Sequence, residues 1–301
     1  MVNSLSCSNF LSFRKQLCAM AQHKKTIGMR QGLGSAGSRN PSYRERQSRS
    51  SEQDDDSRQL IYGLHSVAAA LSNPERQTDE LYLTLNAENR LPDTVDLKRW
   101  APQRVTPKEL DKRLGSDTVH QGALAVCQPL PELSLPSVIN EAKQTGRPIL
   151  VLDQITDPHN VGAVLRSAAV FGTAGMVMTR RHSPPLAGAL AKSASGALET
   201  VKICMVQNLV RSLSEIAESA IPIVGLDSEA DAQLEEALQK HPIAIVLGAE
   251  GKGLRQSTRE TCNQIARIAT EGAIASLNVS NAAAIALHLH AGFRTGRLQT
   301  P

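Results

Sequence analysis

The feature that most constrains this chain is a regular alternation of short apolar runs with longer helical patterns, from residue 149 onward. Each apolar run is only four to six residues long, which suits a buried strand rather than a helix. The runs are 149–152, 175–178, 221–226, 243–247 and 265–268, and helical patterns are clearest at 161–171, 209–218 and 281–293. This alternation predicts an α/β fold with a parallel sheet covered on both faces, and functional groups are then expected at the carboxyl ends of the strands.

A shorter alternation of helical patterns and apolar runs precedes residue 149. It predicts a helix at 67–71, a strand at 80–84, a short helix at 111–114 and a strand at 123–127. Three prolines within eight residues (Pro129, Pro131 and Pro136) then indicate a linker. The sequence therefore predicts four regions, namely a tail at 1–56, a small α/β domain at 57–128, a linker with a lead-in helix at 129–148, and a second α/β domain at 149–301.

The first 50 residues are strongly basic, with nine Lys/Arg and one acidic residue, whereas the other 251 residues carry 24 basic and 28 acidic groups. The net charge of +4 therefore comes from the tail, and the body has no global positive field to attract polyanions. With few large apolar groups, the tail is predicted to be disordered. Its Arg- and Ser-rich composition also resembles an organelle transit peptide, but a solvated tail, or a start at Met20 or Met29, explains it more simply.

Several function classes find no support in the sequence. The five cysteines are far apart and form no CxxC pair, so neither a disulfide framework nor a zinc site is predicted. His288 and His290 are two residues apart on a predicted helix and would point to different faces, so no metal is expected. No apolar run approaches the length of a membrane span. The GxGxxG match at 32–37 follows no strand and is interpreted as chance.

A first candidate motif runs from Asp157 to Arg166, directly after the first strand of the second domain. Pro158 stiffens the turn, and Asn160 is expected to cap the following helix. Arg166 lies off the apolar stripe of that helix. Taken alone, these residues need be no more than a helix cap and a solvated arginine.

A second candidate, 248–254, places three glycines directly after a strand. Glycine permits positive φ angles and close approach to the main chain. The spacing fits neither a Walker loop nor a Rossmann loop, which excludes a P-loop nucleotide enzyme, but a plain turn remains open.

In the third candidate, Ser276, Asn278 and Ser280 alternate with apolar residues ahead of an alanine-rich helix. Small side chains could serve tight helix packing without any ligand. Asn281 is expected to cap this last helix.

Together, in this order and each close to a strand, the three segments resemble the signature motifs of the SpoU/TrmH family of RNA ribose 2′-O-methyltransferases. The resemblance covers roughly residues 149–293. It implies a SPOUT-type parallel sheet with a deep trefoil knot, S-adenosylmethionine as cofactor, and a homodimer. Residues 57–128 resemble the substrate-binding domain of a branch of this family that methylates a guanosine ribose in 23S ribosomal RNA. Residues 61–65 near the start of this region and 120–122 near its end carry the resemblance.

The resemblance also implies roles for individual residues. Its catalytic positions correspond to Asn160, Arg166, Glu250, Ser276 and Asn278, and its cofactor contacts to Gly248, Ile268 and Leu277. Arg166 matches the arginine that faces the reacting ribose hydroxyl. Because a guanidinium stays protonated in proteins, Arg166 is expected to stabilise a developing alkoxide rather than accept the proton.

The expected partner is structured RNA, with a cytoplasmic location in a bacterium, or an organelle if the tail is a transit peptide. Two alternatives remain open, namely another target such as a transfer RNA or organellar ribosomal RNA, and a non-catalytic RNA-binding assembly factor. The latter would not need Asn160, Arg166, Glu250 and Asn278 together. Residues 180–182 (Arg-Arg-His) follow a strand and could contact phosphate or form a solvated loop.

Overall fold

The computed structural model describes residues 58–239, 241–272 and 276–299. The predictions for the tail, including the glycine pattern at 32–37, lie outside these residues. The strands are β1 Gln59–Tyr62, β2 Thr78–Leu83, β3 Gln103–Arg104, β4 Ala123–Cys127, β5 Ile149–Asp153, β6 Gly175–Thr179, β7 Ile203–Val206, β8 Ile223–Leu226, β9 Ala232–Gln233, β10 Ala244–Gly248 and β11 Gln264–Arg267. The helices are α1 Leu64–Ser72, α2 Leu85–Glu88, α3 Leu97–Trp100, α4 Pro107–Leu114, α5 Leu135–Thr145, α6 Pro158–Phe171, α7 Gly188–Ala194, α8 Leu209–Glu218, α9 Leu234–Ala237, α10 Gln256–Thr261 and α11 Val279–Arg294.

The first four strands form a small mixed sheet in the order β1-β4-β2-β3. The central strand β4 is antiparallel to both neighbours, and all five of its residues are buried. The predicted helices and strands of this region are confirmed. β1 and β3 were not predicted, because both are short, β1 has only one fully buried residue and β3 has none, so neither shows a clear apolar pattern.

The other seven strands form a sheet in the order β7-β6-β5-β10-β8-β11-β9, and every neighbouring pair is parallel. Side chains alternate between its two faces. Leu150 and Leu152 of β5 belong to one apolar cluster with residues of α6, α7 and α11, whereas Ile149 and Val151 belong to another with residues of α5 and α8. The predicted parallel sheet, covered on both faces, is confirmed.

Two predicted helix caps are wrong. The cap of α6 is Asp157, whose carboxylate accepts a hydrogen bond from the amide of His159 at 3.0 Å, and Asn160 lies inside the first turn. The helix begins earlier than predicted because Pro158 suits its first position. Likewise Asn278, and not Asn281, caps α11, accepting from the amide of Ser280 at 2.9 Å.

A buried polar group joins the small sheet to the large one. Arg76, in the turn between α1 and β2, donates from Nη2 to Glu199 Oε1 at 2.7 Å and from Nε to Oε2 at 3.0 Å. Asn73 donates to the same carboxylate at 2.9 Å. The two charged side chains are only 1% and 4% exposed. We call Asn73, Arg76 and Glu199 the junction cluster.

Candidate active site

A cavity of about 410 Å³ opens at the carboxyl ends of three neighbouring strands, β8, β10 and β11. Its volume lies within the range typical of small-molecule sites. The three residues predicted to contact a cofactor, Gly248, Ile268 and Leu277, all line it, and so does Ser276. The cavity is therefore lined from the second and third sequence motifs and from the end of β11.

The glycine loop after β10 folds back on itself beside this cavity. The amide of Gly253 donates to the carbonyl of Ala249 at 2.9 Å, and a Cβ atom on Gly248 would lie 2.3 Å from the carbonyl carbon of Gly253. Gly251 and Gly253 have φ angles of 75° and 64°, which side chains disfavour. Gly248 is thus required by the loop's own backbone, in addition to lining the cavity.

Three polar side chains, one from each motif, meet in a cluster. Asn160 Nδ2 donates to Glu250 Oε1 at 3.1 Å, and Asn278 Nδ2 donates to Asn160 Oδ1 at 2.9 Å and also to Glu250 Oε1. We call Asn160, Glu250 and Asn278 the motif cluster. Asn160 is half-buried and the other two are exposed.

The motif cluster is held in one orientation by the start of α11. Asn278 Oδ1 accepts from the amide of Ser280 at 2.9 Å and from its hydroxyl at 2.6 Å, so the amide nitrogen of Asn278 must face Glu250. The amide of Val279 adds a third donor to Glu250 Oε1, at 3.4 Å. Capping of α11 and ordering of the cluster therefore depend on the same side chain.

Arg166 lies apart from this cluster. It is exposed on α6, outside the cavity lining, and within the described residues it has no hydrogen-bond or ion-pair partner. Six residues separate it from Asn160, which corresponds to about 9 Å along the helix axis and about 120° around it. A single chain therefore does not bring all five predicted catalytic residues together.

Sequence reasoning missed the loop after β8, which supplies one wall of the cavity. Leu226, Asp227, Ser228 and Glu229 all line it, and Asp227 is paired with Arg259. β8 itself was predicted, so the rule that ligands bind at strand ends could have indicated this loop. The residue types of this loop gave no indication that it would line a cavity.

The histidines considered for metal binding serve packing. His290 is fully buried and contacts His241 at 3.2 Å, whereas His288 is exposed and lies edge-on to Phe171. Burial lowers the pKa of His290 to about 3. In the part of the chain that the structure describes, no group of three His, Cys, Asp or Glu residues could hold a metal ion, and no helix is long and apolar enough to cross a membrane.

Comparison with known protein families identifies two matching regions. Residues 147–288 match the SpoU rRNA Methylase family, and residues 60–133 match the family described as RNA 2′-O ribose methyltransferase substrate binding. The first match corresponds to the seven-stranded sheet, and the second match corresponds to the four-stranded sheet.

Individual relatives and solved structures agree with these matches. The chain is 37% identical over 238 residues to the 23S rRNA (guanosine-2′-O-)-methyltransferase RlmB of Vibrio vulnificus, covering 77% of this chain and 95% of the relative. The RlmB protein of Ralstonia nicotianae is also 37% identical, over 233 residues. An RNA 2′-O ribose methyltransferase of known structure has a TM-score of 0.63 at 25% identity, covering 80% of this chain and 91% of its own. The methyltransferase AviRb of Streptomyces viridochromogenes shares the fold, with a TM-score of 0.66 at 19% identity, covering 80% of this chain and 91% of its own.

Proposed function

Because the chain belongs to the SpoU rRNA methylase family and is an S-adenosylmethionine-dependent RNA ribose 2′-O-methyltransferase, we propose that its target is a guanosine ribose of 23S ribosomal RNA. The 23S target is supported by relatives with that activity at 37% identity, which this chain matches over almost their full length. For the same reason we expect it to work in the bacterial cytoplasm, where 23S RNA is transcribed and assembled.

One observation carries the assignment of the site. Asn160, Glu250 and Asn278 are far apart in sequence, yet they form one hydrogen-bonded cluster at the cavity lined by Gly248 and Leu277. Simple caps and turns would not require side chains from three separate segments to bond to one another. We assign these residues to the reaction.

The cavity fits the cofactor in size and in chemistry. It combines apolar side chains, including Ile268 and Leu277, with the exposed main chain of the glycine loop, which can bond to polar parts of a nucleoside. S-adenosylmethionine supplies a methyl group on a positively charged sulfonium. Gly248, Ile268 and Leu277 would hold it, and Ser276 lies at the same wall.

The remaining task is to orient a ribose hydroxyl and stabilise its oxygen as the proton leaves. We assign the positioning role to the motif cluster, because Glu250 is fixed by three donors on one oxygen while its side chain stays exposed to an incoming substrate. Arg166 provides a permanent positive charge with free donors, which suits a developing alkoxide.

We further propose a homodimer in which Arg166 completes a site at the subunit interface. Arg166 has no partner within its own described chain, and Val170, one turn further along α6, is 77% exposed. Arg166 and Val170 lie four residues apart and so share one exposed face of α6, which is open to a second subunit. Sedimentation should give a dimer, and a monomer with full activity would contradict this arrangement.

A trefoil knot is also part of the proposal. β10 lies between β5 and β8, and the segment 276–279 leads from the cavity wall into α11, which packs on α6. We assign RNA recognition to residues 57–128 and catalysis to 149–301. Stretching a single molecule from its ends should give a contour length shorter than the full chain, because a tightened knot retains residues.

The catalytic role of Arg166 is tested by Arg166→Ala. Loss of one donor to a developing oxyanion typically costs roughly 100- to 1,000-fold in kcat. S-adenosylmethionine binding, measured by titration calorimetry, should stay unchanged because Arg166 lies outside the cavity lining. Lys143→Ala, on the exposed surface of α5, serves as control. Near-normal turnover by Arg166→Ala would contradict a catalytic role for Arg166.

The target is tested by methyl transfer in vitro to unmodified 23S RNA and to transfer RNA, followed by mapping of the methylated nucleotide. One 23S guanosine should be modified. Modification of transfer RNA instead would show that transfer RNA is the target. Absence of S-adenosylmethionine binding would favour a non-catalytic assembly factor. Deleting residues 1–56 should weaken RNA affinity at low salt if the basic tail contributes to binding.

A further inference from the structure

A second pocket lies at the same edge of the large sheet, outside the cavity described above. Its volume is about 440 Å³, and it is lined at the carboxyl ends of β5, β6 and β7, by the start of α8 and by the segment leading into α10. We call it the strand-end basic pocket and define it by Gln154, Thr179, Arg181, His182, Asn208 and Arg255.

Two guanidinium groups and several other hydrogen-bond donors line this pocket. Its lining contains Arg181, His182 and Arg255 but no carboxylate. The nearby Asp153 is fully buried and already accepts from Arg255 Nε at 2.7 Å and from the Arg255 amide at 3.1 Å. Arg181 has no such carboxylate partner within the described residues. The pocket therefore carries an uncompensated positive charge.

The neighbouring Arg180 is different, although the two arginines are adjacent in sequence. Both terminal nitrogens of Arg180 donate to the carboxylate of Glu132. That pairing raises the pKa of Arg180 and lowers the pKa of Glu132. Arg180 is neutralised outside the pocket, so the chain itself offers a matched comparison for Arg181.

The pocket is also preorganised. Thr179 Oγ1 donates to the carbonyl of Arg181 at 2.5 Å, and the amide of Arg180 donates to Val206 at 2.9 Å, which fixes the turn after β6. Asn208 caps α8 by accepting from the amide of Arg211 at 3.1 Å. The first amides of α8 have no acceptor within the helix, and the helix dipole adds a partial positive charge there. These donors suit an anionic oxygen.

The position of the pocket relates it to the candidate active site. Gln154 lies in the connection from β5 to α6, and Asn160 lies in the first turn of that helix; Arg255 follows Glu250 in the connection from β10 to α10. The segment after β5 and the segment after β10 therefore each contribute one residue to the motif cluster and one to the strand-end basic pocket. An RNA strand that crosses this edge of the sheet with its ribose at the motif cluster would run toward the pocket.

We propose that the strand-end basic pocket binds a phosphodiester group of the RNA strand that carries the target ribose, through Arg181, His182 and the start of α8. This inference rests on the proposed function only in that the substrate is RNA. Because a phosphate contact carries no sequence information, the pocket contributes affinity and register rather than base selection.

Arg181→Ala tests whether the pocket binds phosphate. Arg180→Ala is the control, because it removes the same charge from the adjacent residue outside the pocket. RNA affinity is measured by filter binding at several salt concentrations, with the methylated RNA and with a structured RNA of unrelated sequence. Arg181→Ala should reduce affinity roughly tenfold at 0.1 M salt for both RNAs and lower the salt slope by about 1. Arg180→Ala should change both quantities much less, and Arg181→Lys should keep the slope. Equal losses from Arg180→Ala and Arg181→Ala would overturn the proposal.

A second pair of variants approaches the pocket from another element. Ser257→Glu places a carboxylate in the lining, whereas Gln256→Glu makes the same charge change at the adjacent position outside it. Only Ser257→Glu should weaken RNA binding and raise KM for RNA, with kcat at saturating RNA and S-adenosylmethionine affinity unchanged. Equal effects of the two would contradict the pocket. If the wild-type chain bound neither RNA, the proposed function itself would fail, and that control separates the two outcomes.

Discussion

The junction cluster and the motif cluster both connect distant parts of the chain through a few polar side chains, but they differ in their access to water. In the junction cluster the carboxylate of Glu199 is 4% exposed and both of its oxygens have partners. In the motif cluster Glu250 is exposed, and all the donors that the structure gives it bond to one oxygen. A saturated buried network has no free atom to offer a ligand, whereas an exposed carboxylate fixed on one side can still meet a substrate.

The largest effect is expected from Arg76→Ala in the junction cluster. This change leaves the Glu199 carboxylate buried without its main partner, which typically destabilises a protein by about 3–5 kcal/mol. Urea unfolding measures the change in the free energy of unfolding. Arg104→Ala, whose arginine pairs with Glu88 at the exposed surface, should change it far less, because water screens an exposed ion pair. Similar losses in the two variants would remove the distinction between buried and exposed pairs.

In the motif cluster, Glu250→Gln should leave stability nearly unchanged and reduce activity. The amide keeps the shape of the side chain but weakens the acceptor for Asn160 and Asn278. Misplacement of positioning groups costs roughly 100-fold in rate. Single-turnover methyl transfer measures the loss, and thermal unfolding provides the control. A large drop in Tm with unchanged turnover would mean that Glu250 has only a structural role.

His290 extends the comparison, because it is buried like the junction cluster but incompletely paired. Its Nδ1 atom is buried without a partner, and burial holds its pKa at about 3. The unfolded chain takes up this proton near pH 6.5, so its stabilising contribution is complete above that pH and declines as the pH falls toward 3.

Between pH 7.5 and 5.5 this group should cost about 1.4 kcal/mol of unfolding free energy. The loss should disappear in His290→Leu and persist in the exposed control His288→Gln. Urea unfolding at the two pH values measures it. An identical pH dependence in wild type and His290→Leu would show that other groups dominate acid sensitivity.

Asn278 combines the two roles in one residue, because its side chain caps α11 and also donates to Glu250. Asn278→Ala removes the cap of α11 and should cost about 1 kcal/mol, whereas Asn278→Ser keeps a good cap. Both variants lose the amide donor to Glu250 and should lose activity alike. If Asn278→Ser retained full activity, capping would be the main role of this residue.

The sequence predicted much of the fold because local signals agreed with the tertiary arrangement. The strands β4, β5, β6 and β10 were predicted within one or two residues, since their residues are all or nearly all buried and apolar. The edge strand β7 was not predicted, because most of its residues are only partly buried. β7 has only Cys204 fully buried, so its pattern does not stand out.

For the site, the sequence indicated residue types and order but not contacts. Asn160 and Asn281 were both taken for helix caps, which Asp157 and Asn278 provide instead. That error hid the availability of the Asn160 side chain for Glu250. The pairing of Arg180 with Glu132, across 48 residues, likewise could not be read from the run of two arginines.

The sequence by itself thus determined the parallel α/β sheet, the family and the segments that carry the chemistry, because apolar periodicity and motif spacing are local properties of the chain. The tertiary structure decided which polar side chains bond to one another. It joined Asn160, Glu250 and Asn278, left Arg166 apart, and separated Arg181 from Arg180, because hydrogen bonds and ion pairs between remote segments depend on how the connections fold back at the edge of the sheet.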